Sequence, residues 1–129
     1  MKAVILALTI LLIAGCTTQP VKSVDDHAVF NTHNSMTQES LGKYIHKAAQ
    51  QIGWKVTQDA PGHMVAEIKP RDKHFVAIDI YYDNDSYSIH YKASSNMKYN
   101  AEQNIIHRNY NNWVSNLVKT IDSIIFLNS

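Results

Sequence analysis

The chain has no surplus of either charge: twelve Lys and Arg stand against eleven Asp and Glu. Without a basic excess little is available to neutralise phosphates, so nucleic acid is not expected as a partner. Electrostatic attachment to anionic lipid is unsupported on the same ground. Cys16 is the only cysteine, so no internal disulfide can form and an apolar core must hold the fold. No apolar run reaches the roughly 20 residues that a helix needs to cross a bilayer. The seven histidines include no pair at the i, i+4 spacing of a helical metal site and no CxxC-like neighbour. No metal and no cofactor is therefore expected. No nucleophile stands in a specific catalytic arrangement, and the expectation is a protein that is not an enzyme.

What is present begins at the first residue. Met1-Lys2 precedes an unbroken apolar stretch, residues 3–14, closed by Gly15-Cys16. A short basic start, an apolar run and small residues at a cut site make a secretory signal. Ile13-Ala14-Gly15-Cys16 resembles the lipobox of bacterial lipoproteins. The resemblance implies cleavage before Cys16, diacylation of its sulfur and acylation of the new amine. Two or more acyl chains hold a protein firmly to a bilayer, where one binds only marginally. In lipoproteins an Asp after the cysteine is similar to an inner-membrane retention signal. Thr17 stands there instead, which implies the inner leaflet of the outer membrane, facing the periplasm. Losing residues 1–15 also removes Lys2 and leaves eleven basic against eleven acidic residues. The organisation expected is a lipoprotein signal peptide at 1–15, a lipidated cysteine with a flexible tether at 16–34, and one globular domain at 35–129.

Within that domain, Ser35 with Gln38 three residues on predicts an N-cap and its capping-box partner. Leu41, Tyr44, Ile45, Ala48, Ala49 and Ile52 recur at helical steps, and Gly53 supplies a left-handed stop. Four short runs follow, at 54–59, 63–69, 74–82 and 87–93, separated by Pro, Gly, Asp and Asn. Val76, Ile78 and Ile80 alternate to one side, matched by Ile89 and Tyr91. Phe75, Ala77, Asp79 and Tyr81 face the other way with Ser88, His90 and Lys92. From Glu102 the helical period returns, through Ile105, Ile106, Tyr110, Trp113, Leu117, Ile121 and Ile124. The order α-β-β-β-β-α predicts an α+β fold: a four-stranded antiparallel meander with two helices packed on one face.

Candidate functional residues lie on the wetter face. If Tyr82 pairs with Tyr87 across their turn, Asp79 falls directly opposite His90, within reach of a charge-assisted hydrogen bond. That pair supports either a steadied sheet or half of a base–orienter arrangement. Val65, Phe75 and Tyr81 add apolar area, so Val65, Phe75, Asp79, Tyr81 and His90 form the expected interaction surface. The most distinctive motif is residues 106–114, IHRNYNNWV, where Tyr110 and Trp113 lie on the buried stripe. With YSIHY at 87–91 and SSNMKY at 94–99, it resembles a family of small proteobacterial lipoproteins over residues 53–121. That resemblance transfers no catalytic residue. The expected function is a lipid-anchored, non-enzymatic binding module with a periplasmic or envelope protein as partner. The alternatives are a hydrolase or ligand-processing module using His90 and Asp79, and a weak metal binder.

Overall fold

The computed structural model describes residues 17–30 and 35–128. The signal segment, Cys16 and His33 lie outside the described residues. The central meander is present, as β3 (Lys55–Ala60), β4 (His63–Ile68), β5 (Phe75–Tyr82) and β6 (Ser86–Ser95), all antiparallel. Two strands precede it, β1 (Thr18–Pro20) and β2 (Val24–Ala28). The main sheet is five-stranded, in the order β2-β6-β5-β4-β3, rather than the four-stranded sheet expected.

The segment expected to be a tether is therefore structured over much of its length. β2 covers the edge of β6, and β1 pairs with β7 (Ile105–His107) in a separate two-stranded ribbon. Neither strand has a local partner or an alternating apolar pattern, which is why composition alone reads as linker. Val24 is nonetheless buried in the core, and Val29 packs against it.

Helix α1 spans Gln38–Gln51 and buries Leu41, Gly42, Ile45, Ala48 and Ala49. Its N-cap is Thr37, two residues beyond the one expected. Thr37 Oγ1 accepts from Ser40 N at 3.0 Å, and Ser40 Oγ accepts from Thr37 N at 2.9 Å, a reciprocal capping box. Gln38 is drawn elsewhere: its Nε2 donates to the Tyr82 carbonyl at 3.1 Å. Gly53, at φ +95°, takes the left-handed position after the Ile52 cap.

Helix α2 runs from Arg108 to Leu127, six residues later than the periodicity predicts. Ile105 and Ile106 are strand, not helix: Gln19 of β1 faces Ile106, and the backbone of Ile105 exchanges hydrogen bonds with Asn100. Asn104 at φ +53° also takes a left-handed conformation that a helix interior forbids. His107 then caps the helix, its Nδ1 accepting from Asn109 N at 3.1 Å.

One apolar core joins both helices to the dry face of the sheet. Ile78, Ile80, Ile89, Met64 and Ala66 meet Leu41, Ile45, Leu117 and Ile121, each no more than 2 % exposed. Tyr87 and Tyr110 are fully buried among them. At about 1.5–3 kcal/mol per buried large side chain, this set dominates the folding energy.

Candidate functional site

Three bulges decide which side chains meet on the exposed face. In β6, Ala93 faces Ala77 while Tyr91 faces Ile78, so Lys92 is the unopposed residue. The register from Ile78 to Tyr82 matches the expected one, with Asp79 opposite His90 and Tyr82 opposite Tyr87. In β2, Val24 faces Ile89 and His27 faces Tyr87, so two residues span one. Asp26 takes up the extra length at φ +48°, its amide donating to Ser88 Oγ at 2.9 Å. That bulge inverts the alternation. Asp25 points to the exposed face, whereas His27 turns toward helix α2. In the β3–β4 hairpin the irregularity falls at Asp59.

Asp79 and His90 stand opposite one another but do not bond. Asp79 Oδ1 accepts from His63 Nε2 at 2.7 Å and lies 3.6 Å from Lys92 Nζ. His90 Nε2 instead meets Asp25 Oδ1 at 2.8 Å. The base–orienter pair expected from register is thus replaced by two separate His–Asp contacts, because β2 brings a carboxylate that the meander lacks. The hydrogen bond from His90, then that from Ser23, holds the Asp25 carboxyl below its ordinary value.

His63 is the centre that sequence reasoning left aside. Its Nε2 faces Asp79, its Nδ1 lies 3.0 Å from Asp59 Oδ2, and its ring stacks on Tyr81 at 4.4 Å between centroids. Both ring nitrogens thus lie against carboxylates. The signal available was pairing: His63 faces Tyr81 across β4 and β5, two positions from Asp79.

Four of the five expected surface residues come together. Asp79 is flanked by Val65 on β4 and His90 on β6, and Tyr81 lies 6.0 Å from the His90 ring. Phe75 stands four positions before Asp79 on β5, about 13 Å along the strand. Tyr81 is 43 % exposed, the largest accessible aromatic on this face, while Val65 and Phe75 are half-buried. Among the described residues, no group of three or more His, Cys, Asp or Glu is placed to hold a metal ion.

A groove of about 710 Å³ lies between α1 and the β3–β4 hairpin, and no motif announced it. Met64, Gly42 and Tyr82 line it, with Lys43, His46 and Gln58 among the polar lining. Gly42 is required by the close approach of Tyr82: a Cβ there would stand 2.7 Å from the tyrosine oxygen. Gln58 Nε2 donates to that oxygen at 2.9 Å and secures the ring from the hairpin side.

On the helix side of the sheet, Asp122 joins two contacts. Oδ1 accepts from the Tyr87 hydroxyl at 2.9 Å, and Oδ2 meets His27 Nε2 at 2.8 Å. Burial, and then the Asp122 charge, push the Tyr87 hydroxyl upward, so it remains a donor.

No family model, curated protein or solved structure matches the chain. Among the described residues, no helix is long and apolar enough to cross a membrane.

Proposed function

We propose that this chain is a bacterial envelope lipoprotein, anchored through acylated Cys16 at the inner leaflet of the outer membrane, whose domain is a non-enzymatic binding module. The recognition surface is the exposed sheet face centred on Tyr81. One observation carries this reading: both imidazoles beside Tyr81 are held by carboxylates from neighbouring strands, so an exposed aromatic sits in a preorganised frame. Rigid frames around an aromatic suit recognition, since little ordering entropy remains to be lost on binding. The partner is a periplasmic or envelope protein. Replacing Tyr81 with Ser removes an exposed ring and leaves the core intact. The variant is expected to fold as the parent does and to lose the partner captured by cross-linking in intact cells. Retention of every captured partner by folded Tyr81→Ser overturns the surface assignment.

The groove over Tyr82 favours a second reading, a small-ligand module. Its volume lies within the roughly 300–1,000 Å³ range typical of ligand sites. The hydrolase alternative rests on His90 and Asp79, which bond to Asp25 and His63 rather than to each other.

A further inference from the structure

The IHRNYNNWV motif acts as a seat for the residues that follow Cys16. Arg108 N donates to Thr17 O at 3.0 Å, and β1 pairs with β7. Asn111 grips the next residues from three sides: Oδ1 accepts from Lys22 N at 2.9 Å, and Nδ2 donates to Pro20 O at 2.9 Å and Gln19 Oε1 at 3.1 Å. Val21 N donates to Asn104 O at 3.0 Å. Consecutive Cα atoms are only about 3.8 Å apart. A group carried by Cys16 therefore joins the domain one residue from this seat, without the slack of a free tether. A free tether permits any orientation of the domain at a membrane, whereas a gripped start directs this end toward it.

The same end carries more basic than acidic groups, Lys73, Lys98 and Arg108 against Asp72 and Glu102. The turn after β6 gathers five cationic or titratable groups. His74 Nδ1 meets Asn96 O at 2.7 Å, Asn96 Nδ2 donates to Lys73 O at 2.9 Å, and His107 N donates to Met97 O at 2.8 Å. Lys98 adjoins Met97, and Arg108 adjoins His107. Lys73, Lys98 and Arg108 are exposed. The lysine ion pairs among the described residues involve Lys43 and Lys92 instead. Burial, followed by the nearby Lys98, Arg108 and His74, keeps the His107 pKa below its ordinary value. A near-neutral total conceals this patch. Screening limits an exposed charge to about 10 Å, so a membrane responds to what lies on the facing surface.

Resting on the reading of Cys16 as the anchor, we propose that the end of the domain formed by β1, β7 and the turn at Asn96 is a membrane-contact face, seated on anionic phospholipid headgroups by Lys73, Lys98 and Arg108. Helix α2 then rises from the bilayer. Its far end, about 30 Å away, carries the exposed Phe126 and Leu127.

The test uses the full chain, expressed in an exporting bacterium, isolated from its membranes and reconstituted in phosphatidylcholine vesicles with or without phosphatidylglycerol. Lysine acetylation read by mass spectrometry reports the face, and the peptide containing Cys16 reports the anchor. Lys73 and Lys98 are expected to react about fivefold more slowly, or slower still, when phosphatidylglycerol is present. Lys47 and Lys119, which line a hollow with Leu127 at the far end, are expected to react equally in both. Protection disappears in Lys98→Glu/Arg108→Glu. An acid in the first turn of a helix is favourable, so this variant keeps its fold, checked by thermal unfolding. Equal reactivity of Lys73 and Lys98 in both vesicles, with lipid present on Cys16, overturns the contact face and leaves the anchor standing. An unmodified Cys16 overturns the anchor. Co-sedimentation of that same chain with phosphatidylglycerol vesicles then decides the face: pelleting that the double variant loses supports it, and absence of pelleting refutes it.

Discussion

Toward each end of helix α2 lies a fully buried tyrosine, and the two hydroxyls are treated in opposite ways. Near the C-terminal end, Tyr87 donates to Asp122, which also holds His27 of β2. Near the N-terminal end, the Tyr110 hydroxyl is buried without a hydrogen-bond partner among the described residues, its ring edge-on to Tyr91 at 5.8 Å. Tyr91 in turn stacks on Tyr99 at 4.1 Å. The difference follows from what each end must secure. β2 is short and bulged, so side-chain bonds supplement its few ladder bonds. β1 and β7 are secured by backbone pairing and by Asn111, and the tyrosine beneath them contributes packing alone.

Cutting the polar end should have the largest effect. Asp122→Ala removes the acceptor of a buried hydroxyl and the partner of His27, and is expected to cost about 2–3 kcal/mol in urea denaturation. Amide exchange at His27 and Ala28 should speed up in parallel, while Ile105–His107 is unchanged. A loss below about 0.5 kcal/mol would show that Asp122 does not fasten β2.

A smaller pair of changes sharpens the contrast because the same substitution carries opposite signs. Tyr87→Phe removes a made hydrogen bond and should destabilise by about 1 kcal/mol, whereas Tyr110→Phe removes an unmet desolvation cost and should stabilise by about 1 kcal/mol. Thermal unfolding of both variants reads this directly. Destabilisation by Tyr110→Phe would reveal a partner for its hydroxyl.

The smallest effect is acid loosening of β2. The folded pKa of Asp25 lies below its ordinary 3.8, so its contribution is present above that value and fades as pH falls through the folded value. Protection of the β2 amides, measured against their intrinsic exchange rates, should fall as pH drops below about 4, with that loss absent in Asp25→Asn. The β1–β7 ribbon, which has no such carboxylate contact among the described residues, should not share it.

Local order made the middle of the chain readable. Turn residues at 83–86 set the β5–β6 register, so the Asp79–His90 opposition follows from counting alone. Helical steps placed Leu41, Ile45, Leu117 and Ile121 in the core. What escaped depends on distant partners. β1 pairs with residues some ninety positions away, and together with the Asn100 bridge to Ile105 it makes strand where the periodicity predicts helix. Asp25 reaches His90 only because a bulge rotates β2, and no pattern in VDDHA signals that extra residue. The N-cap shifted because Gln38 found a tertiary partner in the Tyr82 carbonyl. The groove joins helix and hairpin residues that are unremarkable singly, with Gly42 as its one faint clue.

The central claim is covalent attachment of lipid at Cys16, and metabolic labelling tests it most directly. Cells producing the full chain are given radiolabelled palmitate, alongside cells producing Cys16→Ser, and the membrane fraction is resolved on a gel. Label on the parent, none on the variant, and the parent confined to the outer-membrane fraction is the predicted result. An unlabelled parent recovered from the soluble fraction would contradict it.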